Sequence, residues 1–302
     1  ASAPECSPSR TALLTGRYPQ RVGGMECALG TGNVGRYDDA IRLRAQNELG
    51  LPVAENTLLA GLQRAGYRTV ISGKWHLGYE SKFSPVAHGF DESFGPNAGG
   101  VDYFHHTEWD GGPALFENGR QVTRDGYMTD LITDFAVRAI ERRDDPHPLF
   151  LYLPYTAPHT PYQGPEDRRP QPILEPDWNK GTREIYAAML RRLDDGVGRV
   201  LQALDRRGLR EQALVIFMSD NGGTALADSG PYTRTKGTLY EGGLRVPCLV
   251  RWPGRLPAGQ VTAQTAITMD FTRSLLRLAG ASAAPARRLD GLDILGHITA
   301  RK

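Results

Sequence analysis

The sequence has no long apolar run. No stretch approaches the ~20 apolar residues that a membrane-spanning helix needs, so we expect no membrane span. An excess of charge is also missing, because 36 Lys and Arg residues stand against 34 Asp and Glu residues, for a net charge of +2. These charges are interspersed along the chain, so we expect neither nucleic acid nor an anionic membrane surface as a partner.

Cysteine is scarce. The three cysteines, Cys6, Cys27 and Cys248, have spacings that match neither a disulfide framework nor a zinc site. Cys248 lies in an apolar run and is predicted to pack in the core.

The first residues contain no charged segment followed by an apolar one, so the sequence shows no signal peptide. A motif begins almost at the first residue, from which we expect an N-terminally truncated sequence.

The pattern of elements predicts an α/β fold. A helix followed by a buried strand recurs three times, which favours a mixed, largely parallel sheet flanked by helices. With 302 residues, the chain is predicted to form a single domain over 1–302. The predicted helices are 8–18, 57–65, 129–143, 182–207 and 270–279, and the predicted strands are 67–72, 148–153, 213–218 and 246–252. Residues 23–35 are predicted to form a surface loop, and residues 79–124 a loop-rich region.

Residues 6–17 form the most informative stretch, in which a Cys-x-Pro-x-Arg core continues into Leu-Thr-Gly-Arg. Pro8 suits the first turn of a helix, where its missing N–H costs nothing. Cys6 would then lie next to free backbone amides and the positive end of the helix dipole, which favour an anionic group. Arg10 adds a fixed cation within about one turn.

Polar side chains follow three of the predicted strands. Lys74 and His76 follow the first strand, His159 follows the next one, and Asp220 with Asn221 follows the third. Open α/β sheets bind ligands at the carboxyl ends of their strands. Similar chemistry at three strand ends therefore predicts a catalytic site rather than three solvated loops.

These segments resemble the sulfatase family, a branch of the alkaline-phosphatase-like superfamily, in the same chain order. The resemblance rests on the 6–17 stretch, Gly-Lys-Trp-His-Leu-Gly at 73–78, His159 after an apolar strand, Ser-Asp-Asn-Gly at 219–222 and Lys-Gly-x-x-x-Glu-Gly-Gly-x-Arg-x-Pro at 236–247. It implies a sulfuric ester hydrolase of the arylsulfatase type that acts on an aryl or carbohydrate sulfate. It also implies a formylglycine-generating enzyme as maturation partner and an extracytoplasmic location: periplasmic, secreted or lysosomal.

The resemblance further implies roles for individual residues. Cys6 would be oxidised to Cα-formylglycine, whose hydrate attacks sulfur, and Arg10 would hold that hydrate in place. Lys74 and Lys236 would bind the sulfate oxygens. His76 would take the proton that lets sulfate leave, and His159, together with Lys236, would protonate the departing oxygen.

A divalent ion is implied as well, Ca²⁺ or alternatively Mg²⁺. Asp220 and Asn221 match two of its oxygen ligands in the family. The other two carboxylates of the family lie on an Asp-Asp pair upstream of the signature, and neither 38–39, 144–145 nor 194–195 replaces that pair convincingly. The first strand and part of a C-terminal subdomain are likewise expected to be missing.

Two alternatives stay open at this point. The same fold and metal clamp serve phosphomonoester and phosphonate hydrolases, although the full 6–17 stretch favours sulfate. Because the Asp-Asp pair is missing, the chain could also be an inactive fragment or a binding module. Three aromatic residues, Tyr103, Trp109 and Trp178, are candidates for stacking on a sugar or aryl ring and equally for anchoring loops.

Overall fold

The structure is a computed structural model that describes residues 1–142, 146–281 and 288–295 of the chain. These residues fall into two units. The first unit comprises Ala1–Tyr67 and Gly208–Lys302, and the second unit comprises Arg68–Arg207.

The described residues contain helices and strands in alternation. The α-helices are α1 (Cys6–Thr15), α2 (Asp38–Ala45), α3 (Thr57–Arg64), α4 (Met128–Glu141), α5 (Arg183–Arg206), α6 (Glu241–Leu244) and α7 (Thr268–Leu278). The strands are β1 (Arg68–Ser72), β2 (Glu92–Pro96), β3 (Leu115–Glu117), β4 (Arg120–Gln121), β5 (Leu149–Tyr152), β6 (Val215–Met218) and β7 (Cys248–Arg251). Within the described ranges, none of the helices combines the length and apolarity needed to cross a membrane.

The second unit is built on a five-stranded sheet with the order β4-β3-β2-β1-β5. Strand β1 lies at its centre and pairs in parallel with both β2 and β5. Strands β3 and β4 extend the sheet antiparallel to β2. The predicted mixed α/β fold, with a largely parallel central sheet and flanking helices, is therefore confirmed.

Helices α4 and α5 pack against each other and cover the sheet of the second unit. Their apolar faces meet at Ala136, Ile140, Val200 and Ala203, and residues of β5 pack against this cluster. The Thr182 side chain caps α5 by accepting a hydrogen bond from the Ile185 N–H. Because β1 and β5 pair in parallel, their carboxyl ends lie side by side.

In the first unit, α1 packs against α3 and α7. Strands β6 and β7 form a separate antiparallel ladder, and Ile216, Met218 and Val250 pack against a cluster around Phe271 and Leu295. The hydroxyl of Thr268 on α7 donates to the Ser9 carbonyl on α1 at 3.2 Å. The beginning of α1 and the end of β6 thus belong to one packed unit.

The bounds of α1 differ from the prediction of 8–18. The helix begins at Cys6, because Pro8 still lies within the first turn, where no N–H is needed. It ends at Thr15, since Gly16 adopts a left-handed conformation with φ of 70° and its N–H bonds back to the Ala12 carbonyl. Cys6 is therefore the first residue of the helix and not a residue preceding it.

Several other predictions are wrong in detail. Residues 23–35 do not form a surface loop, because Met25, Cys27 and Leu29 are buried. The loop-rich region 79–124 contains β2, β3 and β4, and α2 was not predicted. Cys248 is exposed rather than packed in the core.

Candidate active site

Cys6 occupies the first turn of α1 and is 2% exposed. The side chains of Glu5 and Ser7, its neighbours in the chain, hold the buried residues Ala28 and Leu29 nearby through hydrogen bonds. The Glu5 carboxylate accepts the Ala28 N–H at 2.8 Å, and the Ser7 hydroxyl accepts the Leu29 N–H at 3.1 Å. Sequence reasoning missed Glu5 and Ser7, which carry no motif signal of their own.

Lys236 contacts Cys6 directly, with 3.2 Å between Nζ and Sγ. Two backbone hydrogen bonds hold the lysine there: its N–H donates to the Gly223 carbonyl, and the N–H of Gly237 donates to the Pro4 carbonyl. Burial alone would lower the pKa of Lys236, but the negative charges of a Cys6 thiolate and of Asp220 outweigh burial and raise it. The ammonium group therefore stays charged beside position 6.

Arg10, one turn after Cys6, is 5% exposed and binds Asp220. Its Nε and Nη2 atoms lie 3.0 Å and 2.9 Å from Oδ2 of that carboxylate. Both bonds end on Oδ2. The arginine thus fixes the carboxylate through this oxygen.

Asn221 supplies a second oxygen. Its Nδ2 donates to the Gly222 carbonyl at 2.9 Å, which fixes the orientation of the amide. Its Oδ1 is buried and, among the described residues, has no hydrogen-bond partner. Because a buried carbonyl oxygen without a partner costs free energy, this atom is suited to bind a cation.

Close backbone packing holds the Asp220–Asn221 segment. A Cβ on Gly222 would lie 1.9 Å from the Gly242 carbonyl oxygen, so only glycine allows this approach. The Gly222 N–H donates to the Gly243 carbonyl at 2.8 Å. The contacts of Gly242 and Gly243 with Gly222 therefore hold the 236–247 motif against the segment that follows β6.

The donor set of the described residues fits a hard divalent cation in part. Asp220 and Asn221 offer two oxygens, and Ca²⁺ and Mg²⁺ prefer oxygen ligands. Within 1–142, 146–281 and 288–295, no cluster of three or more His, Cys, Asp or Glu residues could hold a metal ion. Asp38 and Asp39 begin α2 and Asp194 and Asp195 lie within α5, whereas 144–145 fall outside the described residues.

In the second unit, Lys74 and His76 continue from β1. The Lys74 N–H donates to the Pro154 carbonyl at 2.7 Å, and the His76 N–H donates to the Asn97 carbonyl at 3.1 Å. Both side chains are buried. His76 has a φ of 57°, a left-handed conformation that costs a non-glycine residue free energy and is typical of functional positions.

His159 follows β5 in the same unit. Its Nδ1 lies 2.9 Å from the Thr160 carbonyl oxygen. The Thr160 hydroxyl also lies 3.3 Å from Nδ1, but the carbonyl contact is shorter and a carbonyl can only accept. We therefore assign the proton of the neutral ring to Nδ1, which makes Nε2 the nitrogen that exchanges a proton. The hydroxyl of Tyr103 donates to the His159 carbonyl at 3.1 Å, a contact that the sequence did not predict.

The structure therefore brings together Cys6, Arg10, Asp220 and Lys236 through direct contacts, all within the first unit. In the second unit, the His76 ring lies against Gly99, and Nδ1 of His159 lies against Gly100.

Of the three aromatic candidates for ring stacking, only Trp109 is exposed, at 47%. Tyr103 is fully buried and stacks on Tyr127, with 5.1 Å between the ring centroids. Trp178 is also buried. We therefore correct the prediction for Tyr103 and Trp178, which pack inside the unit.

Comparison with known proteins gives consistent matches. A family model described as Sulfatase matches residues 1–281. N-acetylgalactosamine-6-sulfatase from Homo sapiens is 33% identical over 309 residues, which cover 97% of this chain and 56% of that protein. Steryl-sulfatase from Mus musculus is 30% identical, over 98% of this chain and 57% of its own length. The chain thus spans just over half the length of these relatives.

Solved structures agree with the sequence matches. The crystal structure of Ps i-CgsB in complex with k-i-k-neocarrahexaose superposes with a TM-score of 0.81 at 32% identity, over 97% of this chain and 65% of that chain. A phosphonate monoester hydrolase from Silicibacter pomeroyi superposes with a TM-score of 0.58 at 18% identity, which shows a shared fold alone.

Proposed function

The chain belongs to the sulfatase family, and we propose that it hydrolyses the sulfate monoester of a carbohydrate. The observation that carries this proposal is the 3.2 Å contact between the Lys236 ammonium and Sγ of Cys6 at the start of α1. A cation beside the reacting group suits an anionic ester better than a neutral one. A carbohydrate is favoured over a simple aryl group because the relatives include an N-acetylgalactosamine-6-sulfatase and a protein crystallised with neocarrahexaose.

We propose that Cys6 is converted to Cα-formylglycine by a formylglycine-generating enzyme, which supplies an aldehyde hydrate as nucleophile. The Cys6 sulfur stands where the oxygens of that side chain would be, and Lys236 is placed to donate a hydrogen bond to them. Arg10 keeps Asp220 in position through two N–H donors, so the charges around position 6 are fixed before substrate arrives. Lys74 is proposed as a further cation for the sulfate oxygens.

Asp220 and Asn221 would hold a divalent cation, Ca²⁺ or Mg²⁺, which when bound neutralises negative charge on the sulfate. Asn221 is the stronger assignment of the two, because its buried Oδ1 has no other partner among the described residues. Because Arg10 binds Oδ2 of Asp220, Oδ1 is the oxygen that would bind the cation.

The two histidines are proposed as proton-transfer groups. His159 carries its neutral proton on Nδ1, and we assign its Nε2 the delivery of a proton to the departing sugar oxygen. His76, buried after β1, is assigned the base that takes up a proton when sulfate is released. Such proton transfers contribute about 10²–10⁴ in rate. A single catalytic domain and an extracytoplasmic location are part of the same proposal, by family resemblance.

The proposal is tested with protein co-expressed with a formylglycine-generating enzyme and supplied with Ca²⁺. We expect turnover of 6-sulfated N-acetylgalactosamine and of 4-nitrophenyl sulfate, and none from the Cys6→Ala variant. Preference for 4-nitrophenyl phosphate or a phosphonate ester would assign the chain to the other hydrolases of this fold. Absence of turnover from protein whose Cys6 is modified would identify the chain as an inactive or binding form.

A further inference from the structure

Two consecutive glycines, Gly99 and Gly100, lie against the rings of both candidate proton-transfer residues. They follow β2 directly, after Asn97, which accepts the His76 N–H. A Cβ on Gly99 would lie 2.6 Å from both Cε1 and Nε2 of His76. A Cβ on Gly100 would lie 2.8 Å from the Thr160 carbonyl oxygen and 3.1 Å from Nδ1 of His159.

Backbone conformation does not explain these glycines. Neither one has a positive φ, so any residue could adopt their backbone geometry. The remaining reason for glycine is lack of space. A methyl group at Gly99 would overlap the His76 ring, and one at Gly100 would press on the Thr160 carbonyl oxygen, on Nδ1 of His159 and on Trp178 at 3.3 Å. Side chains packed this closely keep one orientation.

Gly100 also lies beside the contact that sets the tautomer of His159. The Thr160 carbonyl oxygen accepts the Nδ1 proton at 2.9 Å, and both atoms are near the Gly100 Cα. The Tyr103 hydroxyl fixes the same loop by donating to the His159 carbonyl at 3.1 Å. The Tyr103 contact holds the backbone of the loop, and the Thr160 carbonyl favours Nδ1 as the protonated nitrogen.

We propose that Gly99 and Gly100 are positioning residues, which fix the His76 and His159 rings so that each presents one defined nitrogen for proton transfer. The role in catalysis rests on the proposed sulfate ester hydrolysis, whereas the ring positions do not. An alanine at Gly99 displaces the His76 ring, and an alanine at Gly100 weakens the contact between Nδ1 of His159 and Thr160. A displacement of about 1 Å at a reacting group costs about 10²-fold in rate.

The test is long-range ¹H–¹⁵N correlation spectroscopy of the imidazole rings, which reports the tautomer of each histidine without substrate. The signals are assigned with His76→Gln and His159→Gln. We expect wild-type His159 to carry its neutral proton on Nδ1. Gly99→Ala should shift the His76 signals alone, and Gly100→Ala should shift those of His159 and reduce its Nδ1–H tautomer. In active protein, each variant should lower kcat by about 10–100-fold with a smaller change in KM.

Gly164→Ala is the matched control, because a Cβ there meets only ordinary contacts at 3.8 Å and beyond in the same unit. Unchanged ring signals in both alanine variants, or equal changes in Gly164→Ala, would overturn the inference. If an alanine variant does not fold, the wild-type spectrum still tests the inference. A neutral His159 with its proton on Nε2 would contradict the inferred ring position. Lack of turnover by wild-type protein would refute the proposed function and leave the spectra as the test of ring positioning.

Discussion

Replacing Asp220 by Asn is expected to destabilise the protein by about 3 kcal/mol, because it removes the carboxylate that binds the buried Arg10 guanidinium. Breaking a buried ion pair by removing one partner typically costs about 3–5 kcal/mol, and the lower end applies because the Asp220 side chain is 25% exposed. The matching Arg10→Met change leaves a partly buried carboxylate without the arginine and should cost a similar amount or less.

A double-mutant cycle isolates the pair itself. Two hydrogen bonds between charged groups, at 3.0 Å and 2.9 Å, predict a coupling free energy of about 2 kcal/mol between Arg10→Met and Asp220→Asn. The free energies of unfolding are measured by urea denaturation in the presence of a chelator, so that a bound cation does not contribute. Because the pair is largely buried, added salt should change the coupling little.

The control is an exposed pair in the same unit. Arg42 and Asp39 lie 2.9 Å apart, but their side chains are 57% and 53% exposed. The cycle of Arg42→Met and Asp39→Asn should give a coupling of about 0.5 kcal/mol or less. If the Arg10–Asp220 cycle gives a value no larger than this control, burial and geometry do not strengthen the pair, and the reasoning about a fixed carboxylate fails.

Four further predictions concern activity, metal binding and pH. Cys6→Ala should abolish turnover. Because only one sulfur atom is lost, differential scanning calorimetry should show a melting temperature lowered by no more than about 4 °C. Collapse of the fold would count against a catalytic role. Lys236→Met should reduce kcat by about 10²–10³, and retention of full kcat in steady-state kinetics would remove this cation from the mechanism. Asn221→Ala should weaken Ca²⁺ binding at least about tenfold in calorimetric titration, and unchanged affinity would exclude this oxygen as a ligand. Burial, followed by the charge of Asp110, raises the pKa of Glu108 to about 7, so the folded state holds this proton more tightly than the unfolded state. Stability should therefore fall as pH rises from about 4.5 to 7, by about 1–2 kcal/mol because solvent screens this partly exposed group, and Glu108→Gln should remove this slope in urea denaturation.

The strands that carry the candidate site could be predicted because their sequence signal is strong. The apolar runs at β1 and β5 appear where expected, and the polar residues follow them directly. The missed strands β2, β3 and β4 are short, and β2 contains Gly95 and Pro96, which weaken any strand pattern. Strand β2 depends on pairing with β1, and β3 and β4 depend on pairing outward from β2, contacts that no local pattern encodes.

From the sequence, the residue types of the site could be predicted, but the contacts between them could not. Lys236 and Cys6 are 230 positions apart, and their 3.2 Å contact depends on backbone hydrogen bonds made by Gly223 and Pro4. Gly99 and Gly100 resemble an ordinary flexible turn in the sequence. Only the folded backbone shows that their missing side chains leave room for two histidine rings.

The exposed position of Cys248 has a similar cause. The run 246–250 is apolar enough to be read as a buried strand, and β7 indeed forms there. Burial, however, depends on what covers the strand. Val250 faces the cluster around Phe271, whereas Cys248 and Leu249 are exposed.

Mass spectrometry of the tryptic peptide ending at Arg10 tests the central claim most directly. The protein is co-expressed with a formylglycine-generating enzyme, and its turnover of sulfate esters is measured on the same preparation. We predict the aldehyde, or its hydrate, in place of the thiol at position 6, in a proportion that follows the specific activity. A preparation that hydrolyses sulfate esters while Cys6 carries only an unmodified thiol would contradict the account.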